Sequence, residues 1–135
     1  MIRIAYRSTA NNPDLALIAL ADIIATSDRN NRRDGLTGAL LVSKGRFFQI
    51  LEGATVDVQR TLARIAADPR HHDIVVVAER DVTERLFEGW SMVAARVTPS
   101  VAPEIDRAID DCVSHPSAAI DAVLDLVSRQ HTGGD

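Results

Sequence analysis

Polar and apolar positions alternate over residues 2–7, and this period of two predicts a strand with one buried face. The turn-forming segment 8–13 follows, in which Asn12 before Pro13 is typical of the start of a helix. Apolar residues then recur at helical spacing, and the polar run 27–35 predicts the end of this helix. The positions expected to share the buried faces are Ile2, Ile4 and Tyr6 on the strand and Leu15, Ile18, Leu20, Ile23 and Ile24 on the helix.

A hairpin and further elements follow. Two apolar segments, 36–42 and 46–52, flank the turn formers Ser43, Lys44 and Gly45 and predict two paired strands. Beyond them, β-branched runs and helical periodicity predict the later strands and helices. These are a helix at 55–67 stopped by Asp68 and Pro69, strands at 73–79 and 89–97, and helices at about 102–113 and 117–129, while residues 131–135 are expected to fray.

This order, β-α-β-β-α-β with a fifth strand and C-terminal helices, predicts an α+β fold with a ferredoxin-like core. We expect the first and third strands to lie parallel and adjacent at the centre of the sheet, with the first two helices on one face. Phe48 and Ile50 alternate out of phase with Phe47, Gln49 and Leu51, so the third strand carries apolar groups on both faces. The C-terminal helices are therefore expected to cover the other face.

Composition and charge indicate an ordinary globular domain. The chain has 135 residues, 46% hydrophobic and 25% charged, which suits one domain with a packed core. The net charge of −4 argues against sequence-independent binding to nucleic acid. The single cysteine, Cys112, excludes an internal disulfide. Without a secretory signal or an apolar run near the ~20 residues that cross a bilayer, the sequence favours a cytoplasmic location and no membrane contact.

Common catalytic motifs are missing from the sequence. It has no glycine-rich phosphate loop and no G-x-S-x-G nucleophile elbow. His71 and His72 are adjacent, and adjacent side chains diverge on a regular element, so we expect no shared metal. Function must therefore be argued from particular residues rather than from the fold.

Polar side chains interrupt the predicted apolar layer between the sheet and the first two helices. Tyr6 shares its face with Ile2 and Ile4, and Gln49 shares its face with Phe47 and Leu51. A buried glutamine needs hydrogen-bond partners, which the Tyr6 hydroxyl and Asn31 could supply. Three polar groups in an apolar slot suit a flat polar heterocycle.

These three polar residues and four others also have a purely structural interpretation. The Tyr6–Gln49 pair would then satisfy only itself, and Asn31 would be a feature of the helix end. Trp90 and Met92 would be core residues. The structural role would extend to Arg70 as a solvated cation and to Cys112 as a small buried apolar residue.

Five segments, in this order and spacing, resemble the BLUF family of blue-light sensors that use FAD. The resemblance covers about residues 2–96 and agrees with the predicted order of elements. The matching segments are Y-R-S at 6–8, N-N-x-x-x-G-L-T-G at 30–38, G-x-F-F-Q-x-L-E-G at 45–53, D-P-R-H at 68–71 and F-E-G-W-S-M at 87–92.

The resemblance implies a flavin between the helices at 14–28 and 55–67. Tyr6 would give an electron and a proton to the photoexcited ring, and Gln49 would hydrogen-bond both Tyr6 and the flavin. Asn31 would hold the polar edge of the ring. It also implies that Trp90 and Met92 report the change, and that further cofactor contacts come from Asn30, Leu40, Phe47, Ile65, Arg70 and His71.

By the same resemblance, residues 1–97 form the flavin-binding domain, and residues 98–135 are a helical extension in the same compact unit. The chain resembles the short, single-domain members of the family, without an enzyme activity of its own. We expect the signal to pass through residues 97–130 to a downstream protein partner or across a homo-oligomer.

Two alternatives compete with a photoreceptor. A small enzyme on a ferredoxin-like fold, such as a monooxygenase or a phosphatase-type hydrolase, would need a convergent acid–base pair or phosphate cradle in the slot. The strand carboxylate nearest the predicted site, Glu52, lies on the opposite face from Gln49. A flavin-free regulatory module would use the Tyr6–Gln49 pair only structurally, and its purified form would be colourless.

Overall fold

The computed structural model describes residues 1–132, without the side chains of Leu17, Ile24, Asp28 and Thr132. The expectations that Ile24 is buried and that residues 133–135 fray lie outside this part of the chain. The elements are β1 (Ile2–Ala10), α1 (Ala16–Asp34), β2 (Thr37–Ser43), β3 (Arg46–Gly53), α2 (Thr55–Ala66), β4 (His71–Asp81), β5 (Val93–Ala94), α3 (Ala102–Asp110) and α4 (Pro116–Thr132).

The five strands form one sheet in the order β4-β1-β3-β2-β5, which confirms the α+β fold with a ferredoxin-like core. The expectation that β1 and β3 run parallel is wrong, because they pair antiparallel. The tight turn makes β3 antiparallel to β2, and the α1 crossover returns β2 parallel to β1. Since β3 lies between these two parallel strands, it must run against both.

Apolar cores cover both faces of the sheet, as predicted. Ile4 and Leu51 pack with α1 and α2 on one face. Phe48 and Ile50 pack with α3 and α4 on the other face. Glu52 alternates with Leu51 and so lies on the same face as Ile50, opposite the one that carries Gln49.

Two predicted helix features of α1 are wrong. The polar run does not end the helix, because Asp, Asn and Arg side chains are compatible with a helical backbone. The helix ends only at Gly35, whose φ of 70° places it in the left-handed conformation that favours glycine. Leu15 and Ile18 are exposed, because Ala16, Ala19 and Ile23 form the stripe that faces the sheet.

The strand predicted at 89–97 is wrong over most of its length, because only the two residues of β5 form a strand, which pairs parallel with β2. The residues before it form a turn instead, with a hydrogen bond from the Trp90 amide to the Phe87 carbonyl and a φ of 89° at Gly89. Among the helices that the structure describes, none is long and apolar enough to cross a membrane.

Candidate functional site

Tyr6 and Gln49 lie directly opposite each other in the β1–β3 ladder. Their side chains point into the layer between the sheet and α1 and α2, where they are 3% and 1% exposed. The Tyr6 hydroxyl donates a 2.6 Å hydrogen bond to Oε1 of Gln49. This contact follows from the period of two on each strand, which puts both side chains on the helix-covered face.

The other end of the Gln49 amide contacts Met92. Nε2 of Gln49 lies 3.5 Å from Sδ of Met92, a weak acceptor that is buried in the same apolar layer. One amide group therefore joins the phenol on β1 to the residue that directly precedes β5.

Trp90 lies elsewhere. Its ring packs against Phe87, with centroids 6.4 Å apart, and against His131 of α4, at 6.0 Å. It belongs to the core beneath the C-terminal helices. Of the two residues that the resemblance assigns to reporting the change, only Met92 contacts Gln49.

Asn31 occupies the last turn of α1 and is 1% exposed. Its Nδ2 donates a 2.6 Å hydrogen bond to the carbonyl oxygen of Ser91, the residue before Met92. The backbone carbonyl of Asn31 accepts hydrogen bonds from the backbone amides of Gly35 and Leu36, and these bonds close the end of the helix. Asn31 thus holds the segment before β5 against α1.

Two cavities that share part of their lining lie between α1 and α2, above the Tyr6–Gln49 pair. The inner one has a volume of about 30 Å³ and the outer one about 180 Å³, and Ile23, Ile65 and Asp68 border both. The predicted cofactor residues all line them. Tyr6, Leu40, Phe47, Gln49, Ile65 and His71 border the inner cavity, and Asn30, Asn31, Ile65 and Arg70 border the outer one.

Asp68 borders both cavities, although the sequence indicates it only as a helix stop and as part of the D-P-R-H segment, not as a site residue. Its carboxylate accepts hydrogen bonds from the Arg70 guanidinium, which hold the pKa of Asp68 below its usual range. The same guanidinium donates a 2.6 Å hydrogen bond to Oδ2 of Asp22 on α1. Arg70 therefore links the two sides of the slot at its mouth. The D-P-R spacing was the available signal.

Burial raises the pKa of Tyr6 well above its usual value, and the negative charge of Asp68 raises it further. Low-dielectric surroundings disfavour a phenolate. Tyr6 therefore stays protonated in the folded protein across the physiological range, and its hydroxyl remains a hydrogen-bond donor to Gln49.

His71 is fixed beside this pair. Its Nε2 lies 2.7 Å from the carbonyl oxygen of Ile65, which can only accept, so Nε2 carries a proton. Its Nδ1 lies 2.7 Å from the hydroxyl of Ser8. The ring meets Tyr6 and Phe47 edge-on, with centroids 6.3 Å and 6.1 Å away.

The lining of the slot has the chemistry that suits a flat heterocycle with one apolar end and one hydrogen-bonding edge. Leu40, Phe47 and Ile65 supply apolar walls, while the amides of Asn31 and Gln49 supply groups that both donate and accept. An isoalloxazine has this combination of a benzenoid end and a polar pyrimidine edge. The residues present therefore suit a flavin.

Comparison with known families agrees with this geometry. The model of the BLUF family, described as sensors of blue-light using FAD, matches residues 1–93. Among curated proteins, subunit alpha of a photoactivated adenylate cyclase from Euglena gracilis is 32% identical over 128 residues. Subunit beta from Euglena longa is 31% identical over the same length. These matches cover 94% of this chain but only 11% and 13% of those relatives.

Solved structures have the same fold. BlrB, described as a BLUF protein in its dark state, aligns with a TM-score of 0.77 and 28% identity over 96% of both chains. A bacterial light-regulated adenylyl cyclase aligns with a TM-score of 0.72 and 30% identity. That alignment covers 87% of this chain and 35% of the cyclase.

Proposed function

The chain belongs to the BLUF family, sensors of blue light that use FAD, and we propose that its light response starts at the hydrogen bond between Tyr6 and Gln49. It is a flavin-binding photoreceptor. The observation that carries the proposal is the 2.6 Å bond from a protonated, buried phenol to an amide whose other end contacts Met92.

When bound, the flavin supplies absorption of blue light and an acceptor for an electron from a nearby phenol. Oxidation of Tyr6 would make its hydroxyl strongly acidic, and Gln49 Oε1 already accepts that proton in a hydrogen bond. Gln49 contacts both Tyr6 and Met92, and its single rotatable amide both donates and accepts. Once the electron and proton had returned to Tyr6, only the hydrogen-bond pattern of Gln49 would have changed, by rotation or tautomerisation.

The cofactor we propose is FAD, in line with the description of the family. Asn31 would hold the polar edge of the ring, and Asn30, Arg70 and His71 would lie along the rest of the slot. Chromatography and mass spectrometry of the flavin released on denaturation test this assignment. Release of FMN alone from protein purified from its natural host would contradict it.

The signal would leave the flavin-binding domain, residues 1–97, through residues 97–130, most of which belong to the helical extension, and act on a protein partner or a second copy of the chain. In this view the chain is a sensor with no reaction of its own. Two contacts support the route: Gln130 of α4 pairs with both backbone groups of Arg96, and His131 packs on Trp90. A change at Met92 would reach α4 through these neighbours. Unchanged hydrogen exchange of α3 and α4 between darkness and light would contradict this output.

A light-minus-dark spectrum tests the function directly. Purified protein should be yellow, absorb near roughly 450 nm as flavins do, and show a reversible red shift after blue light. Tyr6→Phe should keep the colour and the fold but lose the red shift, because the phenol is the electron and proton donor. A colourless protein that refuses added FAD, or a normal red shift in Tyr6→Phe, would overturn the proposal.

A further inference from the structure

Glu52 is a fully buried carboxylate at the end of β3, with 0% of its surface exposed. It accepts hydrogen bonds from four donors. They are Nε of Arg3 at 2.8 Å, Oγ1 of Thr37 at 3.0 Å, and the backbone amides of Leu86 at 2.7 Å and Phe87 at 2.9 Å. A buried charge is tolerated only with such complete pairing.

The two backbone donors belong to the irregular segment between β4 and β5. Arg85, which precedes them, donates to Oγ1 of Thr37 at 2.9 Å and to the carbonyl oxygen of Gly35 at 2.8 Å. Since the Thr37 hydroxyl accepts from Arg85, it gives its own proton to Glu52. The segment is therefore attached to the ends of β2 and β3 by a charge-assisted network.

Phe87, whose amide donates to Glu52, lies five residues before Met92 in the chain. The Phe87 carbonyl accepts from the Trp90 amide, and the Trp90 carbonyl accepts from Gly38 of β2, both at 3.0 Å. Ser91 is held by Asn31, and Met92 contacts Gln49. Every step from the carboxylate to the Gln49 amide is a direct contact, although Glu52 and Gln49 lie on opposite faces of the sheet.

We propose that Glu52 is a positioning residue that fixes the segment 86–92 and thereby holds Met92 against the Gln49 amide in the dark state. This inference rests on the proposed function of Gln49 and adds a residue outside the flavin slot to it. A purely structural Glu52 would stabilise the sheet without acting on the photocycle through Met92.

The test is a double-mutant cycle on the rate of dark recovery. Glu52→Gln keeps the shape of the side chain but replaces an acceptor oxygen by an NH₂ group that cannot accept from a backbone amide. We expect recovery to be about twofold to threefold faster, because a loosely held Met92 resists the return of the Gln49 amide less. In a Met92→Ala background the same change should have little effect. Glu84→Gln, on an exposed carboxylate two residues before this segment, is the matched control and should recover at the unmodified rate.

Trp90 gives a second readout that does not depend on the photocycle. It is the single tryptophan of the chain, and it lies within the segment that Glu52 would fix. Acrylamide quenching of its fluorescence in the full chain should increase in Glu52→Gln and stay unchanged in Glu84→Gln. If Glu52→Gln does not fold, Thr37→Val removes one of the four donors and should give smaller changes in the same directions.

Three outcomes would overturn the inference: unchanged quenching, an unchanged recovery rate in folded Glu52→Gln, or an equal acceleration in the Met92 and Met92→Ala backgrounds. Absence of any red shift in the unmodified protein would instead overturn the proposed function. In that case the Trp90 measurement still decides whether Glu52 fixes the segment.

Discussion

The side-chain amide of Gln49 joins the Tyr6 hydroxyl to the Met92 thioether, so one rotatable group on β3 connects the neighbouring strand β1 with the residue that directly precedes β5. Any reorientation of this amide must change both contacts together. A donor amide nitrogen facing Tyr6 would leave the carbonyl oxygen facing sulfur, which cannot donate to it. The two contacts of Gln49 therefore couple the slot to the segment before β5, in which Trp90 contacts α4.

Gln49→Leu should keep the flavin but abolish the red shift, because leucine has a similar size and no hydrogen-bonding group. It leaves the buried Tyr6 hydroxyl without its partner, which should cost about 1–3 kcal/mol of the free energy of unfolding. A light-minus-dark spectrum and urea denaturation measure the two effects. Gln59→Leu, on the exposed side of α2, is the matched control. A normal photocycle in Gln49→Leu would contradict the role assigned to this amide.

Asn31→Ala should weaken flavin binding more than it destabilises the fold. The change removes one hydrogen bond to the Ser91 carbonyl, worth about 1 kcal/mol of stability, but it also removes the amide offered to the polar edge of the ring. We expect the flavin dissociation constant to rise about tenfold, measured by flavin fluorescence.

Asn30→Ala is the comparison for this prediction, because Asn30 is adjacent but only half-buried. Its effect on flavin binding should be the smaller of the two. A larger effect at Asn30 than at Asn31 would show that the wrong amide has been assigned to the ring.

Met92→Ala should change the rate of dark recovery more than Trp90→Phe does. Met92 contacts the Gln49 amide, whereas Trp90 packs on the opposite side of the sheet against Phe87 and His131. Loss of a contact worth roughly 0.6 kcal/mol corresponds to about threefold in rate. Flash spectroscopy at fixed temperature measures both variants. The reverse ranking would contradict the direct role of Met92.

The stability of the protein should fall above about pH 10, the ordinary pKa of a tyrosine. Burial raises the pKa of Tyr6 in the folded state, so above this pH the unfolded chain loses a proton that the folded chain keeps. The stabilisation is complete below the unfolded pKa and is lost as the pH rises towards the folded value.

Tyr6 is the single tyrosine of the chain, so phenolate absorbance near roughly 295 nm reports on it alone. We expect no phenolate signal until the protein unfolds, and a smaller loss of stability in Tyr6→Phe over the same pH range. A phenolate signal from folded protein near its ordinary pKa would contradict the burial of Tyr6.

Local periodicity in the sequence determined the order of the elements and the face that each strand residue occupies. A period of two put Tyr6 and Gln49 on helix-facing strand positions and put Phe48 on the opposite face, because alternate side chains of a strand point to opposite sides. Those faces agree with the structure, as do the order of elements and the cover supplied by the C-terminal helices. The predicted end of α1 was wrong, because polar residues are compatible with both helix and loop. The helix ends only where the backbone of Gly35 adopts the left-handed conformation.

The tertiary structure alone decided the relationships between residues far apart in the chain. Periodicity could not predict that β1 and β3 run antiparallel, because strand direction depends on the crossover and the turn together. It also could not distinguish Met92 from Trp90, since only a two-residue β5 and the turn before it place the thioether on Gln49. The four partners of Glu52 come from three separate parts of the chain. A local pattern records which face a side chain occupies, whereas its partner across the fold is set by the packing of the whole chain.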